Sequence, residues 1–343
     1  MIAIYIIILL ACFVLLARIV DLFFISSLDK ISKDLRLSSD AAGATLMAVG
    51  SSAPELFVAL FAVLKPGNHQ AIGIGSIVGS AIFNLLVIIG AAAFVKKAKL
   101  TWQPMTRDLL FYTTSVALLV WFIWDGVFTI NEATVFLAVY VVYVFAAIYW
   151  RKLFPYKDMV SSTPEEDVHG EHNKYTKFID LPLKFIFPSQ KYYYIVFFMS
   201  IILIAAISFV LVEVAVVSAH ILNIPEAIIA LTVLAVGTSI PDLFSSVIVA
   251  REGRSDMAVS NAIGSNIFDI LVGLGLPFLF VMLISGDTIS AGGDMVNSSI
   301  ILFASVIILF LLLLFSRWRV GKFTGIFLIG LYIIYLIWEI VNS

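Results

Sequence analysis

The chain has 343 residues, 62% hydrophobic and 13% charged, with a mean hydropathy of +1.08 and a formal net charge of −2. That balance excludes a soluble globular domain, and the single cysteine, Cys12, excludes an intramolecular disulfide and a thiolate metal cluster. Apolar runs of about 20 residues, in place of polar–apolar alternation, exclude a β-barrel and predict an all-α integral membrane protein.

Ten spans are expected, near 1–24, 38–64, 70–95, 106–124, 129–150, 192–221, 225–250, 256–285, 294–316 and 321–341. The first lacks a basic n-region and an A-x-A site, so it reads as a span and not as a removed signal. The long polar segment 151–191 carries Pro155, Pro164, Pro182 and Pro188. It divides the chain into two five-span units, 1–150 and 192–343.

Basic residues give the orientation. Alternate loops hold Lys30, Lys33 and Arg36, then Lys96, Lys97, Lys99 and Arg107, then the bases of 151–191, then Arg251 and Arg254, then Arg317, Arg319 and Lys322. The opposite face has Lys65 alone, and Arg18 sits where it can snorkel from the end of the first span. Both termini are therefore expected outside a plasma or inner membrane, with 151–191 as a cytoplasmic linker.

One element is written twice. Residues 43–60 read GATLMAVGSSAPELFVAL and residues 230–247 read ALTVLAVGTSIPDLFSSV, with eight of 18 positions identical when Gly50 is set on Gly237. A second pair, GSIVGSAIFN at 75–84 and SNAIGSNIFD at 260–269, follows in the same order. An odd number of spans per unit makes the halves cross the membrane in opposite senses. The duplication is thus an inverted repeat, an architecture that binds its cargo near the midplane between halves.

The chemistry of these segments is consistent. Pro54 cannot bond the Gly50 carbonyl, so the second span should break between Ala48 and Pro54, and Pro241 should act alike in the seventh. Broken helices 2, 3, 7 and 8 are expected to form the site, because irregular backbone at membrane depth persists only where it lines a cavity or is buried in protein. Ser51 and Ser52 precede Glu55 by four and three residues, and Thr238 and Ser239 stand likewise before Asp242. Ser80 with Asn84, and Ser265 with Asp269, are spaced i, i+4 on one face. A carboxylate in a span is costly unless partnered, which makes Glu55 and Asp242 functional candidates. Carboxylates, hydroxyls, one amide and free carbonyls, without His, Cys or Met, suit Ca²⁺, Na⁺ and K⁺ as cargo. Three negative charges, Glu55, Asp242 and Asp269, match one Ca²⁺ plus one monovalent cation, or several Na⁺. No cofactor is expected, and the partners are the lipid bilayer and inorganic cations.

At these residues the chain resembles the cation/calcium exchanger superfamily, whose two α-repeats carry G-[ST]-S-x-P-[ED] and G-S-x-x-x-[ND]. GATLMAVGSSAPELF, GIGSIVGSAIFN, GTSIPDL and SDMAVSNAIGSNIFDI resemble the potassium-dependent sodium/calcium exchangers most. The resemblance implies ten helices, inverted repeats and alternating access, with helices 1 and 6 sliding across an ion-binding core. It implies Glu55 and Asp242 as the principal Ca²⁺ and Na⁺ ligands, Asp269 at the position associated with K⁺ and Asn84 as its counterpart. Ser51, Ser52, Thr238, Ser239, Ser80 and Ser265 would supply hydroxyls, and Ala48 and Ala235 backbone carbonyls. The long insertions of the animal proteins are missing from this chain.

The expected function is a secondary antiporter, not an enzyme, exchanging Na⁺ for Ca²⁺ with K⁺ accompanying Ca²⁺. The rivals are a K⁺-independent or proton-driven exchanger and, in another class, a cation channel. Outside the duplicated motifs, Glu213 reads as a gating acid or as a solvated or capped one, and Asp21 as a surface charge. His69, His169, His172 and His220 receive no ligand role. Glu165, Glu166 and Asp167 lack EF-hand spacing and read as linker. Gly73 and Gly75 have no lysine at P-loop spacing.

Overall fold

In a computed structural model, residues 2–35, 46, 48–67, 69–154, 177–251, 253, 255–290 and 294–342 are described. They fold mainly into helices. In chain order these are α1 (Ile2–Asp34), α2 (48–64), α3 (Gln70–Val95), α4 (Trp102–Phe122), α5 (Ile130–Leu153), α6 (Lys177–Ile186), α7 (Tyr193–Leu222), α8 (Glu226–Arg251), α9 (255–285), α10 (Asp294–Phe315) and α11 (Lys322–Asn342). Eight of them, α1, α3, α5 and α7 to α11, are long and apolar enough to cross a membrane. In α2 the apolar helix Ala53–Leu64 is shorter. In α4, 21 residues long, the apolar run is interrupted by Arg107, Asp108 and three threonines.

Local chemistry sets the ends. Thr129 and Glu132 form a capping box at the start of α5. Asn223, in the left-handed region at φ 54°, closes α7 two residues before Pro225.

Burial is graded from the centre outward. Every residue of α3 from Ile72 to Phe83 is buried, whereas α5 turns Val141, Val142 and Phe145 outward. One apolar cluster joins α3, α4, α5, α9, α10 and α11; a second joins α1, α2, α6 and α7. Small residues let α3 meet α8. A β-carbon on Gly79 would fall 2.7 Å from the Ala235 Cβ and against the Leu231 carbonyl. Gly79→Val is therefore expected to destabilise the protein by about 1–3 kcal/mol, read as a lower thermal midpoint in detergent.

Two short ribbons tie loops across the molecule. β1 (Ala98–Lys99) pairs antiparallel with β4 (Arg319–Val320), and β2 (Val127–Phe128) with β3 (Ile289–Ser290). β1 and β2 flank α4, so its length, about 1.5 Å per residue, separates the ribbons.

Several expectations need correction. Helix α1 does not end at residue 24 but runs to Asp34, passing through a π turn at Val20–Ile25 into a polar stretch, Ser26–Asp34. The segment 151–191 is not loop throughout, because Lys177–Ile186 is helical. Arg18 is not a lone charge at the end of the first span. It makes a two-pronged pair with Asp180, Nε to Oδ1 at 2.7 Å and Nη2 to Oδ2 at 2.8 Å. Arg107, counted as a loop base, is fully buried in α4 against Asp108 at 2.8 Å. Residues 36–45 and 47, which include the start of the first duplicated motif, lie outside the described residues, as do Glu165, Glu166, Asp167, His169 and His172.

Candidate cation site

The break expected in α2 occurs, and the other three take a different form. Helix Ala48–Ser51 ends at Ser52 (φ −94°, ψ 5°), and Ala53–Leu64 restarts there with Pro54 in its first turn, where a missing N–H costs nothing. Helix α8 is not broken at Pro241: Ala235–Arg251 runs through it, and the irregularity lies upstream as a π turn, Ala230–Leu234. Proline deprives only the Gly237 carbonyl, a loss this helix carries without interruption. Helices α3 and α9 are likewise continuous, each with a π turn: Asn84–Ile88 and Asp269–Leu274. Both π turns begin on a candidate ligand, and the two ligands occupy the same place in the duplicated motif. A π turn frees backbone groups without ending the helix and is common at functional sites.

These four helices converge. Glu55, Asp269, Asn84, Ser51, Ser52, Thr238, Ser239, Ser80, Ser265, Ala48 and Ala235 are all buried, and Asp242 is half-buried. Glu55 lies within electrostatic reach of Asp242 and Asp269, and Asp269 of Asp242. Among the described residues no three of His, Cys, Asp and Glu form a group that could hold a metal ion by themselves. Contacts cross the halves: Ser51 shares a hydrogen bond with Ser265 (Oγ to Oγ 2.8 Å), and Ser80 with Ser239 (2.8 Å). Thr238 faces Glu55, and Ser52 faces Asp269. The Thr238 hydroxyl donates to the Leu234 carbonyl at 3.0 Å, which turns its lone pairs away from that carbonyl. The Ala48 carbonyl accepts the Ser52 N–H at 3.0 Å and the Ser51 hydroxyl at 3.4 Å; the Ala235 carbonyl accepts the Thr238 hydroxyl at 3.4 Å.

Four buried side-chain oxygens here have no hydrogen-bond partner: Ser52 Oγ, Glu55 Oε2, Asn84 Oδ1 and Asp269 Oδ1. An unpartnered buried polar atom costs about 1–3 kcal/mol, more if charged. All four carry lone pairs, and the two carboxyl oxygens accept whenever their groups are ionised. A desolvated cation satisfies such a set, as does a proton on either carboxyl.

Two residues of the site were missed from the sequence. Asn266 donates from Nδ2 to the Ala81 carbonyl (3.1 Å) and to the Tyr112 hydroxyl (2.9 Å), and accepts from Asn84 Nδ2 (2.9 Å). A carbonyl can only accept, so Asn266 must turn its Nδ2 to Ala81 and its Oδ1 to Asn84. Asn84 must answer with its Nδ2, which directs Oδ1 elsewhere. The relay thus sets which end of the Asn84 amide is left to meet a cation. The available signal was the mismatch of GSAIF and GSNIF, where Ala81 faces Asn266 in the alignment; Tyr112, on α4, left none. Asn266→Leu strands Asn84 Nδ2 and leaves the Tyr112 hydroxyl only its 3.5 Å bond to the Ala81 carbonyl, and if Asn84 ligates a cation the change is expected to raise the KM for that cation about tenfold, equivalent to about 1.4 kcal/mol, in flux assays.

Helix α1 covers both signature glycines. The Phe13 ring occupies the space a β-carbon on Gly237 would need, and such a carbon on Gly50 would lie 2.7 Å from Leu28 Cδ1. Helix α7 also reaches the site, where Ser208 Oγ donates to the Pro54 carbonyl at 3.4 Å. Farther out, Glu213 pairs with Lys65, and His69 Nδ1 meets Glu226 at 2.9 Å.

The family model described as sodium/calcium exchanger protein matches residues 4–149 and 192–341. Among curated proteins, the sodium/potassium/calcium exchanger 5 of Homo sapiens is 32% identical over 95% of this chain and 80% of its own length. The sodium/potassium/calcium exchanger 2 of Gallus gallus is 29% identical over 95% and 75%. Among solved structures, an H⁺/Ca²⁺ exchanger, CAX, superposes with a TM-score of 0.75 at 14% identity, covering 97% of this chain and 82% of its own. The sodium-calcium exchanger NCX_Mj superposes at 0.61 with 25% identity, covering 98% of each chain.

Proposed function

The chain belongs to the sodium/calcium exchanger protein family, and from that premise we propose that it is an antiporter moving Ca²⁺ against Na⁺ by alternating access, with K⁺ travelling alongside Ca²⁺. The observation that carries the reading is the set of four partnerless buried oxygens, drawn from both duplicated motifs, two of them on Glu55 and Asp269, with Asp242 within electrostatic reach of both. Glu55 and Asp242 supply the charge for Ca²⁺ or for Na⁺. Occupancy by one excludes the other, and that competition couples the fluxes. Asp269, Asn84 and Ser52 offer the ligands for K⁺. Ser51, Ser80, Ser239, Ser265 and Thr238 complete an all-oxygen shell with the Ala48 and Ala235 carbonyls.

The architecture proposed is ten spans in two inverted halves, 1–150 and 192–343, with both termini outside and 151–191 cytoplasmic. The ribbons support it. Exchanging the halves carries the loop of β1 onto that of β3, and the loop of β4 onto that of β2, so each ribbon is the other's image. Half-buried Asp242 marks the side on which the site is least enclosed.

The test is ⁴⁵Ca²⁺ uptake into Na⁺-loaded proteoliposomes at clamped potential, with external K⁺ or choline. Uptake requiring both ions is expected. Uptake indifferent to K⁺ removes the K⁺ step, uptake driven by a pH gradient in place of Na⁺ replaces the driving ion, and conductance above exchanger rates makes the protein a channel.

A further inference from the structure

Helix α6 has two faces that point to different neighbours. Asp180, Leu183 and Phe187 are buried against α1, through the Arg18 pair and a stack of Phe187 on Phe23 with centroids 3.8 Å apart and planes 9° off parallel. The opposite face is apolar and open: Leu181 is 62% exposed, Phe185 84% and Ile186 54%. Lys184, on the flank between the two faces, is also exposed, as are Lys191 and the aromatic Tyr192 and Tyr194 just beyond.

Position decides what covers that apolar face. Arg18 lies about 24 Å along α1 at 1.5 Å per residue, close to the edge of a hydrocarbon core about 30 Å thick. Only residues 187–192 separate α6 from the apolar helix α7. The helix is therefore held at the level where hydrocarbon gives way to headgroups, and lysines flank it as anionic headgroups require.

We propose that α6 is an interfacial helix whose partner is the anionic lipid leaflet beside it, and that its hold on Arg18 transmits the state of that leaflet to α1 and so to the ion site. Leu181, Phe185 and Ile186 enter the acyl boundary, and Lys184 and Lys191 meet headgroup phosphates. The route inward is short. Arg18 is five residues from Phe13, which lies on Gly237, and ten from Leu28, which lies on Gly50. A helix that caps both signature glycines cannot shift without uncovering or covering the carboxylates beside them. The functional part rests on the antiporter reading; the lipid contact does not.

Two measurements separate them. Cys12 is the only cysteine, so in a Cys12→Ala background a spin label at Phe185→Cys reports depth in liposomes containing phosphatidylglycerol. Collisions with oxygen should exceed those with a water-soluble nickel complex, and a label at Lys184→Cys should show the reverse. A water-accessible label at Phe185→Cys overturns the lipid contact, and dipolar broadening between labels would identify a second copy of the chain as the occupant instead. For the coupling, wild-type exchange is expected to be several-fold faster in liposomes with anionic lipid than with phosphatidylcholine alone, with KM for Ca²⁺ unchanged. Asp180→Asn and the double change Leu181→Ser, Phe185→Ser should each erase that difference. Persistence of the difference in both variants overturns the coupling. A wild type that exchanges no ions defeats the antiporter reading while leaving the depth result standing.

Discussion

Replacing Glu55 with Gln, or Asp242 with Asn, is expected to reduce Ca²⁺ exchange by at least about a thousandfold. Two unit charges 4 Å apart attract by about 4 kcal/mol at the effective dielectric of a partly solvated protein site, and 1.4 kcal/mol is a factor of ten. For a divalent cargo the loss of one carboxylate charge doubles in effect, while an amide NH₂ turned into the site adds a donor where a cation needs lone pairs. The side chains are isosteric, so the helix break at Ser52 and the hydroxyl pairs should persist. Removing one of three mutually repelling charges should hold or raise the thermal midpoint. ⁴⁵Ca²⁺ flux together with a thermal melt decides the matter: near-normal flux in either variant sinks the site, and a collapsed melt turns the loss into a folding defect.

Asp269→Asn is the second large effect expected, and it is selective. Asp269 and Asn84 open matching π turns, so the variant makes the two halves alike at this position. Both of their Oδ1 atoms lack partners, and Ser52 faces Asp269 from the other half. On the proposed reading, K⁺ then loses the counter-charge of Asp269, while Glu55 and Asp242 remain for Ca²⁺. Na⁺-driven Ca²⁺ uptake should survive, and its response to external K⁺ should weaken toward none. An unchanged K⁺ response would move the K⁺ step to other ligands.

Much of the candidate site was legible because the chain states its motifs twice. Glu55 and Asp242 stood out as acids beside proline in apolar runs, and the kink at Ser52 followed from Pro54. The π turns were not legible, since Asn84–Ile88 carries no glycine or proline and the single Gly273 of Asp269–Leu274 does not set that stretch apart from ordinary helix. Pro241 looked like a second break because its sequence matches Pro54, yet only one of the pair interrupts its helix. Long-range partners were hidden for another reason. Arg18 meets Asp180 across 162 positions, and Tyr112 meets Asn266 across 154, with no local pattern linking either pair. Arg107 looked like a loop base because it stands at the expected start of its span, near 106; only packing reveals that Asp108 accompanies it into the interior.

The crossed serine pairs hold a further consequence. Exchange of the halves turns Ser51–Ser265 into Thr238–Ser80, and Ser80–Ser239 into Ser265–Ser52. Neither image describes the present arrangement, where Ser52 Oγ has no partner and Thr238 donates to Leu234. Each serine on α3 and α9 thus has a choice between two adjacent hydroxyls on the opposing helix, one residue apart, a step of about 1.5 Å along it and 100° around it. The number of bonds is the same in either set. On the alternating-access reading proposed above, the hydroxyl pairs therefore favour neither arrangement by bond count, which leaves the choice to the passengers aboard.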